Sequence, residues 1–459
     1  MNIDVLKPYL SGMTAHGELR AHTNYTNTIM FTNGNLTMNQ RSDISGVFAR
    51  IYKDGVFGAA SYPGINEDSV KRALEGAKLN ADVLALSSQH RGHILGEVKN
   101  GEAKAHIAFV KHPQSYLLDF VTQLDAHIAA RYKGLSGRSV RLLEECTSVS
   151  LAVTDGFDVE RVLPRCHIVV RFTVKDSGGA PVDLSVTLGG GGLFDMYFKS
   201  PTDFDGQLDL LYSRLMDKRD GVYAEAGEHD LILDSEMAGI LAHEAIGHTV
   251  ESDLVRGGSI AKNFRNMAVG SEKVSLVDFA HTALGEQAPL SIFVDDEGTK
   301  AEDVVIIKDG VLLDYMCNRF DAPIVGTTPK GNGRAFSYKD EPIVRMRNTC
   351  ILPGKDKLED MIATVEKGYY LITPSNGQAD GTSEFMFGVT MGYEIKDGKL
   401  GRAIKDTTLC GVAFDMLKTV SMVGDSVKWK ASGRCGKNQP MGNAMGGPAL
   451  KCRAVLGGR

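Results

Sequence analysis

"LILDSEMAGILAHEAIGHTVESD", residues 231–253, brings His243, Glu244 and His248 into one run of chain between a strand-like start and an acidic end. After the apolar residues 231–233 come Asp234 and Ser235, both good helix N-caps, and Glu236 suits the positive end of a helix dipole. The stretch predicts a helix from about 235 to 252, where each residue turns through about 100°. Taking His243 as zero, Glu244 lies near ~100°, His248 near ~140° and Glu251 near ~80°, so all four project within an arc of roughly 140°.

The familiar zinc-peptidase spacing is HExxH, with histidines about 40° apart on adjacent turns of one helix. Here the spacing is HExxxH, and five residues diverge too far for an undistorted helix to grip one ion. Gly247, just before His248, is where the backbone can bulge or unwind, at a cost of about 1 kcal/mol relative to alanine. Two readings stay open on the residues alone. One is a core helix with Ala242, Ala245, Ile246 and Val250 facing inward and its polar side chains satisfied by hydrogen bonds. The other is a metal site, because two imidazoles and a carboxylate buried without partners are costly. A catalytic zinc needs three protein ligands and an open position, so a third donor must come from elsewhere in the chain.

The rest of the chain limits what this stretch belongs to. At 459 residues it is long enough for two or three compact units, and 43% hydrophobic and 24% charged residues are ordinary values for a globular protein. A formal charge of −6 and no long Lys/Arg run leave no general attraction for polyanions, which argues against a nucleic-acid partner. No apolar run approaches the roughly 20 residues of a membrane helix, and the first residues lack the order of a secretory signal. A cytoplasmic protein without membrane association is therefore expected. Seven scattered cysteines with no CxxC pair agree with a reducing compartment.

Two differently built halves are expected, an N-terminal α+β domain at 1–226 and a C-terminal, mostly antiparallel β domain at 227–459 that carries the HExxxH helix. Residues 24–62 alternate apolar and polar positions around Asn33-Gly34 and Asp54-Gly55, which reads as an antiparallel meander. Helical periodicity follows from Asn66 and again over 113–132. Strands return before "LGGGGL", where Gly189 to Gly192 either line a passage for an extended ligand or form a surface turn. Beyond 227 the chain reads as short strands with glycine turns, including "SIFVDDEGT" at 291–299 and "EPIVRMRNTCILPG" at 341–354.

The blocks "HEAIGHTVESD" at 243–253, "DDEGT" at 295–299, "GNGR" at 331–334, "RMRNT" at 345–349 and "RCGK" at 434–437 stand in an order that resembles the TldD/PmbA family, once described as modulators of DNA gyrase. The resemblance implies a TldD-type metallopeptidase in which His243, His248 and Cys435 bind one zinc ion per active subunit. PmbA or TldE-type subunits share the fold but lack the histidine motif, which this chain keeps. Physically, a thiolate is a strong zinc ligand and the glycine-flanked loop around Cys435 can approach a helix closely. Cys452 is a rival donor, and Glu251 is an alternative ligand or an acceptor for a histidine N–H.

Under this reading Glu244 is the general base that takes a proton from the attacking water and later protonates the leaving amine. The resemblance implies peptide or unfolded-protein substrates, including maturation of small peptides and degradation of antitoxins. It also implies an enclosed dimer with a TldE/PmbA-like subunit or with a second copy. A non-catalytic binding or regulatory subunit is the alternative class.

Overall fold

Asn33-Gly34 and Asp54-Gly55 set the register of the first sheet. Both residues of each pair have positive φ, 52° and 84° in the first and 47° and 86° in the second. A two-residue hairpin turn needs this if its twist is to match the strands it joins. The computed structural model describes residues 2–105, 108–379 and 381–457. The first turn joins the strands Gly17–Thr32 and Asn35–Lys53, and the second joins Asn35–Lys53 to Val56–Pro63. Gly137–Val153 and Phe157–Lys175 extend this sheet antiparallel, and Pro181–Gly191 pairs with Phe157–Lys175. The meander thus begins at Gly17, earlier than the alternation from residue 24 predicts.

Helices pack against the sheet. Glu67–Ala85 is capped by the Asn66 side chain, which accepts from the Ser69 N–H, and buries Ala73, Ala77 and Ala81. Gln114–Arg131 buries Leu117, Val121, Leu124 and Ile128 completely. These last side chains share a core cluster with Ile232, Met361 and Tyr370, so apolar packing runs continuously across residue 226.

The first three glycines of the run are strand and not loose turn, and Gly189 lines a cavity of about 480 Å³. Gly189–Gly191 continue a strand, paired with Arg165–His167, and a Cβ on Gly191 would stand 2.2 Å from the Pro289 carbonyl oxygen. Glycine is needed there because another stretch of backbone lies in the space a side chain would fill.

Among the described residues the C-terminal half forms two short two-stranded sheets and two large ones, of seven and six strands, mostly antiparallel as the sequence predicts. In one, Lys367–Ala379, Gly227–Leu233, Leu450–Gly457, Thr407–Val412 and Glu384–Lys396 follow in order, and pairing of the first with the last closes a ring of five strands. In the other, Leu276–Phe279 pairs with Asn348–Ile351, which runs parallel to Met441–Gly447, and Lys428–Cys435 forms the edge beyond it. The helical segment after Leu233 lies between these sheets and contacts both Met441–Gly447 and Lys367–Ala379. Met237, Ala238, Leu241, Ala242, Ala245, Ile246 and Val250 are all fully buried, so apolar packing holds the segment on most of its surface.

Residues 291–299 are not the strand their composition predicts. Asp295 accepts hydrogen bonds from the backbone N–H groups of Glu297, Thr299 and Gly333. A side chain that takes over backbone donors in this way replaces a strand ladder with a buried turn. At the centre of the six-stranded sheet, Arg347 and Asp278 form an ion pair with both side chains fully buried. Arg347 Nε donates to Asp278 Oδ2 at 2.8 Å, and the same carboxylate accepts from the Arg347 and Asn348 N–H groups and from Asn332 Nδ2.

Removing one member of such a pair strands the other in the core. Arg347→Met is expected to lower unfolding free energy by about 3–5 kcal/mol, measured by denaturant titration. A loss below about 1 kcal/mol would show that the pair does not hold this sheet together.

Candidate metal centre

The segment that carries the two histidines is not a uniform helix from 235 to 252. Ser235–Ile240 is α-helical, Leu241–Gly247 is wound as a π-helix, and His248–Val250 is a tight 3-10 turn before the backbone extends at Glu251. In the π segment the His248 N–H donates to the His243 carbonyl, five residues back. A π turn has one residue more than an α turn, so the wider spacing that an α-helix would splay apart becomes one turn of the wider helix. The two imidazole rings end up 5.2 Å apart between centroids.

Gly247 permits the winding. A Cβ there would meet Met346 Sδ at 2.2 Å and the Ala242 carbonyl oxygen at 3.1 Å. Met346 is itself buried, within the "RMRNT" block.

Cys435 arrives at the end of the edge strand Lys428–Cys435, whose pairing with Met441–Gly447 fixes its position beside the histidines. One ligand atom each from His243, His248 and Cys435 lies within 4.8 Å of the others, with Cys435 Sγ 3.2 Å from His248 Nε2. Arg345 fastens the cysteine loop, donating from Nη2 to the Cys435 carbonyl at 2.7 Å and from Nη1 to the Lys437 carbonyl. Glu251 is fully buried and joins both sides: its Oε2 accepts from His248 Nδ1 at 2.7 Å and lies 3.1 Å from Lys437 Nζ. Cys452 stays outside the group, buried in the strand Leu450–Gly457, where burial pushes its thiol up to about 12.

The electrostatics differ between the two rings. Burial, with the neighbouring His248 and Arg345, holds His243 well below the ordinary histidine value, so its imidazole is neutral and keeps a lone pair. Its Nε2 lies 3.2 Å from Asn443 Nδ2, while its Nδ1 is buried without any partner. Burial opposes a charge on His248, but Glu251 and Cys435 outweigh it and push that ring up to about 10. Burial likewise opposes a thiolate at Cys435, yet His248 and Arg345 bring the thiol below its ordinary value. Burial raises the Glu244 carboxyl above its ordinary value, opposed by His248 and aided by Glu251.

Glu244, His248 and Cys435 face a cleft of about 650 Å³, also lined by Ser259, Gly377 and Lys437. Glu244 Oε2 is 3.5 Å from His248 Nε2. The arrangement joins three soft and borderline donors, one of them with an orphaned nitrogen, to a carboxylate at the edge of an open space. Sequence reasoning did not single out Arg345, Lys437 or Asn443. The first two lie inside the motif blocks, whereas nothing in the spacing around Asn443 marks it.

The sequence matches the family described as the PmbA/TldA metallopeptidase C-terminal domain over residues 226–455, and domain 1 of the same family over 17–81. A metalloprotease TldD homolog from Buchnera aphidicola is 35% identical over 316 residues, covering 66% of this chain and 64% of that protein. A zinc metalloprotease TldD homolog from Saccharolobus solfataricus is 31% identical over 61% of this chain and 62% of its own length. These matched stretches thus span less than two thirds of those relatives. A metalloprotease from Methanothermobacter thermautotrophicus is 27% identical over 96% of this chain and 95% of that protein. In fold, the chain superposes on a structure described as a putative modulator of a DNA gyrase from Thermotoga maritima, with TM-score 0.78, 17% identity and 99% of both chains covered. It also superposes on TldE from Thermococcus kodakarensis, with TM-score 0.77, 16% identity, and 99% of this chain and 98% of that one covered.

The winding at Gly247 is open to a direct test. Gly247→Ala is expected to cost about 1–3 kcal/mol through overpacking against Met346, and Met346→Ala in the same chain to relieve a large part of that cost. Thermal melts of the single and double variants check this, and strict additivity would mean that the two residues do not compete for space.

Proposed function

The chain belongs to the TldD/PmbA family, and from that premise we propose that it is a zinc-dependent metallopeptidase acting on small or unfolded peptides. The observation that carries the reading is the convergence of His243, His248 and Cys435 within 4.8 Å, beside Glu244 and an open cleft. The donor set fits the ion: two imidazoles and a thiolate suit zinc, and the buried, neutral ring of His243 keeps one lone pair to offer a cation. The zinc metalloprotease name of one relative supports the same choice of metal.

In this proposal His243, His248 and Cys435 are the ligands and the ratio is one zinc per subunit. Bound there, zinc would supply Lewis-acid activation of water and polarisation of a peptide carbonyl. The protein's own groups do the rest. Glu251 accepts a hydrogen bond from His248 Nδ1 and so orients Nε2 of that ring toward Cys435, where it would serve as a ligand once its own proton is displaced. Arg345 holds the Cys435 backbone in place. Glu244 takes a proton from the attacking water and returns it to the leaving amine, and its burial-raised carboxyl suits both transfers.

The division of labour we propose gives residues 227–459 the chemistry and residues 1–226 the enclosure of substrate and contacts with a second subunit. The fold likeness to a TldE structure supports a TldE/PmbA-like partner, and a homodimer is the other form. Among the described residues no helix is long and apolar enough to cross a membrane.

Glu244→Gln is expected to lower hydrolysis of an unfolded protein such as casein by about 10²–10⁴-fold while bound zinc stays near one per chain. Undiminished turnover would remove Glu244 as the proton carrier. Cys435→Ala and His243→Ala are expected to lose zinc and activity together. If elemental analysis of the purified protein finds no divalent metal, and chelators leave its binding of peptides unchanged, the non-catalytic binding reading takes its place.

A further inference from the structure

Between the first sheet and the C-terminal half lies a second, smaller cavity of about 60 Å³. It holds several times the ~10–15 Å³ that one water needs. Its charged lining is four guanidinium groups, Arg161, Arg165, Arg334 and Arg434, against two carboxylates, Glu145 and Asp296. Both carboxylates are already taken: Asp296 pairs with Arg161 and Glu145 with Arg434. Arg165 and Arg334 are left with backbone carbonyls alone. Arg165 Nη2 donates to Ala431 and Gly433, and Arg334 uses one nitrogen, Nη1, for Met346 and Gly442. The two converge on Gly442, where a Cβ would stand 1.8 Å from Arg165 Nη1.

The hydrogen bonds are incomplete as well as the charge. Nε of Arg161, on a side chain more than nine-tenths buried, has no partner, and neither has Nε of Arg165. One oxygen of Glu145, Oε2, is equally without a donor. Arg20, fully buried and near enough to Asp296 to interact with its charge, adds a further cation whose Nε and Nη1 are unpaired. Burial depresses Arg334 to about 9 and pulls Arg165 below its ordinary value, as expected where guanidinium charge is confined without enough counter-charge. Buried groups that lack both charge balance and hydrogen bonds are costly, and a planar guanidinium with free N–H groups is the donor best matched to the oxygens of a carboxylate or phosphate.

We propose that this cavity is an oxyanion-binding site. Its occupant brings acceptor oxygens to Arg165 and Arg334, and a protonated oxyanion such as hydrogen phosphate also offers an O–H to Glu145. Two sources supply that chemistry: a free inorganic oxyanion, or the carboxylate at the end of a peptide. The second source rests on the peptidase reading and is suggested by Arg434, which lines both this cavity and the cleft beside Cys435.

The experiment has two arms. In the first, the purified full-length protein is titrated with inorganic phosphate at constant ionic strength, with chloride as the balancing salt, and followed by thermal melting and calorimetry. Saturable binding that raises the Tm, weakened about tenfold or more in Arg334→Gln and in Arg165→Gln, supports a free-oxyanion site. In the second, peptides ending in a free carboxylate are compared with the same peptides ending in an amide. A lower KM for the acids, erased in Arg165→Gln and opposed by added phosphate, supports the site and identifies the peptide as the source. The unsubstituted protein decides the matter even if a variant folds poorly. Phosphate no more effective than chloride, together with equal KM for acid and amide, overturns the proposal. The phosphate arm does not depend on hydrolysis, so failure of the peptidase reading and failure of this one are told apart.

Discussion

One backbone hydrogen bond, from the His248 N–H to the His243 carbonyl, sets the geometry on which the site depends. It closes a turn of five residues instead of four, and so puts on one side of a helix two side chains that α-helical winding would splay apart. Such a turn is less favourable than α-helix and persists where surrounding structure enforces it. Here the enforcement is burial. Apolar side chains enclose the segment between two sheets, and the buried Met346 occupies the space that any side chain at Gly247 would need.

The other side of the group is held with equal firmness by different means. Cys435 sits on an edge strand with a single partner in its sheet, and an edge strand alone is poorly fixed. Arg345 compensates by donating to the carbonyls of Cys435 and Lys437, while Lys437 reaches Glu251 at the end of the helical segment. Glu251 is therefore tied to both sides of the gap, by a hydrogen bond from His248 and an ion pair with Lys437. Deeper in the sheet, the Arg347–Asp278 pair locks the strands that support the edge. The motif blocks, scattered over nearly 200 residues of chain, are parts of one scaffold.

The local elements were the most legible in the sequence. Asn-Gly and Asp-Gly turns, an Asn66 cap and the periodicity of 113–132 each express an interaction complete within a few residues, and each is found in the structure. Residues 291–299 failed because Asp295 bonds to backbone donors as far away as Gly333, a partner that propensity does not see. The need for glycine at Gly191 was hidden for a related reason: it comes from the Pro289 carbonyl, about a hundred residues further along.

What the sequence determined by itself was the kind of fold, the helical segment with two histidines five residues apart, and the glycine that lets it widen. It also supplied the donors. Which of seven cysteines would meet those histidines, and that Arg345 and Asn443 would stand beside them, was decided by the tertiary structure. A turn or a cap is settled by hydrogen bonds between near neighbours. The 3.2 Å approach of Cys435 to His248, 187 residues earlier, follows from the pairing of whole strands and the burial of their faces, and no short window of chain contains that information.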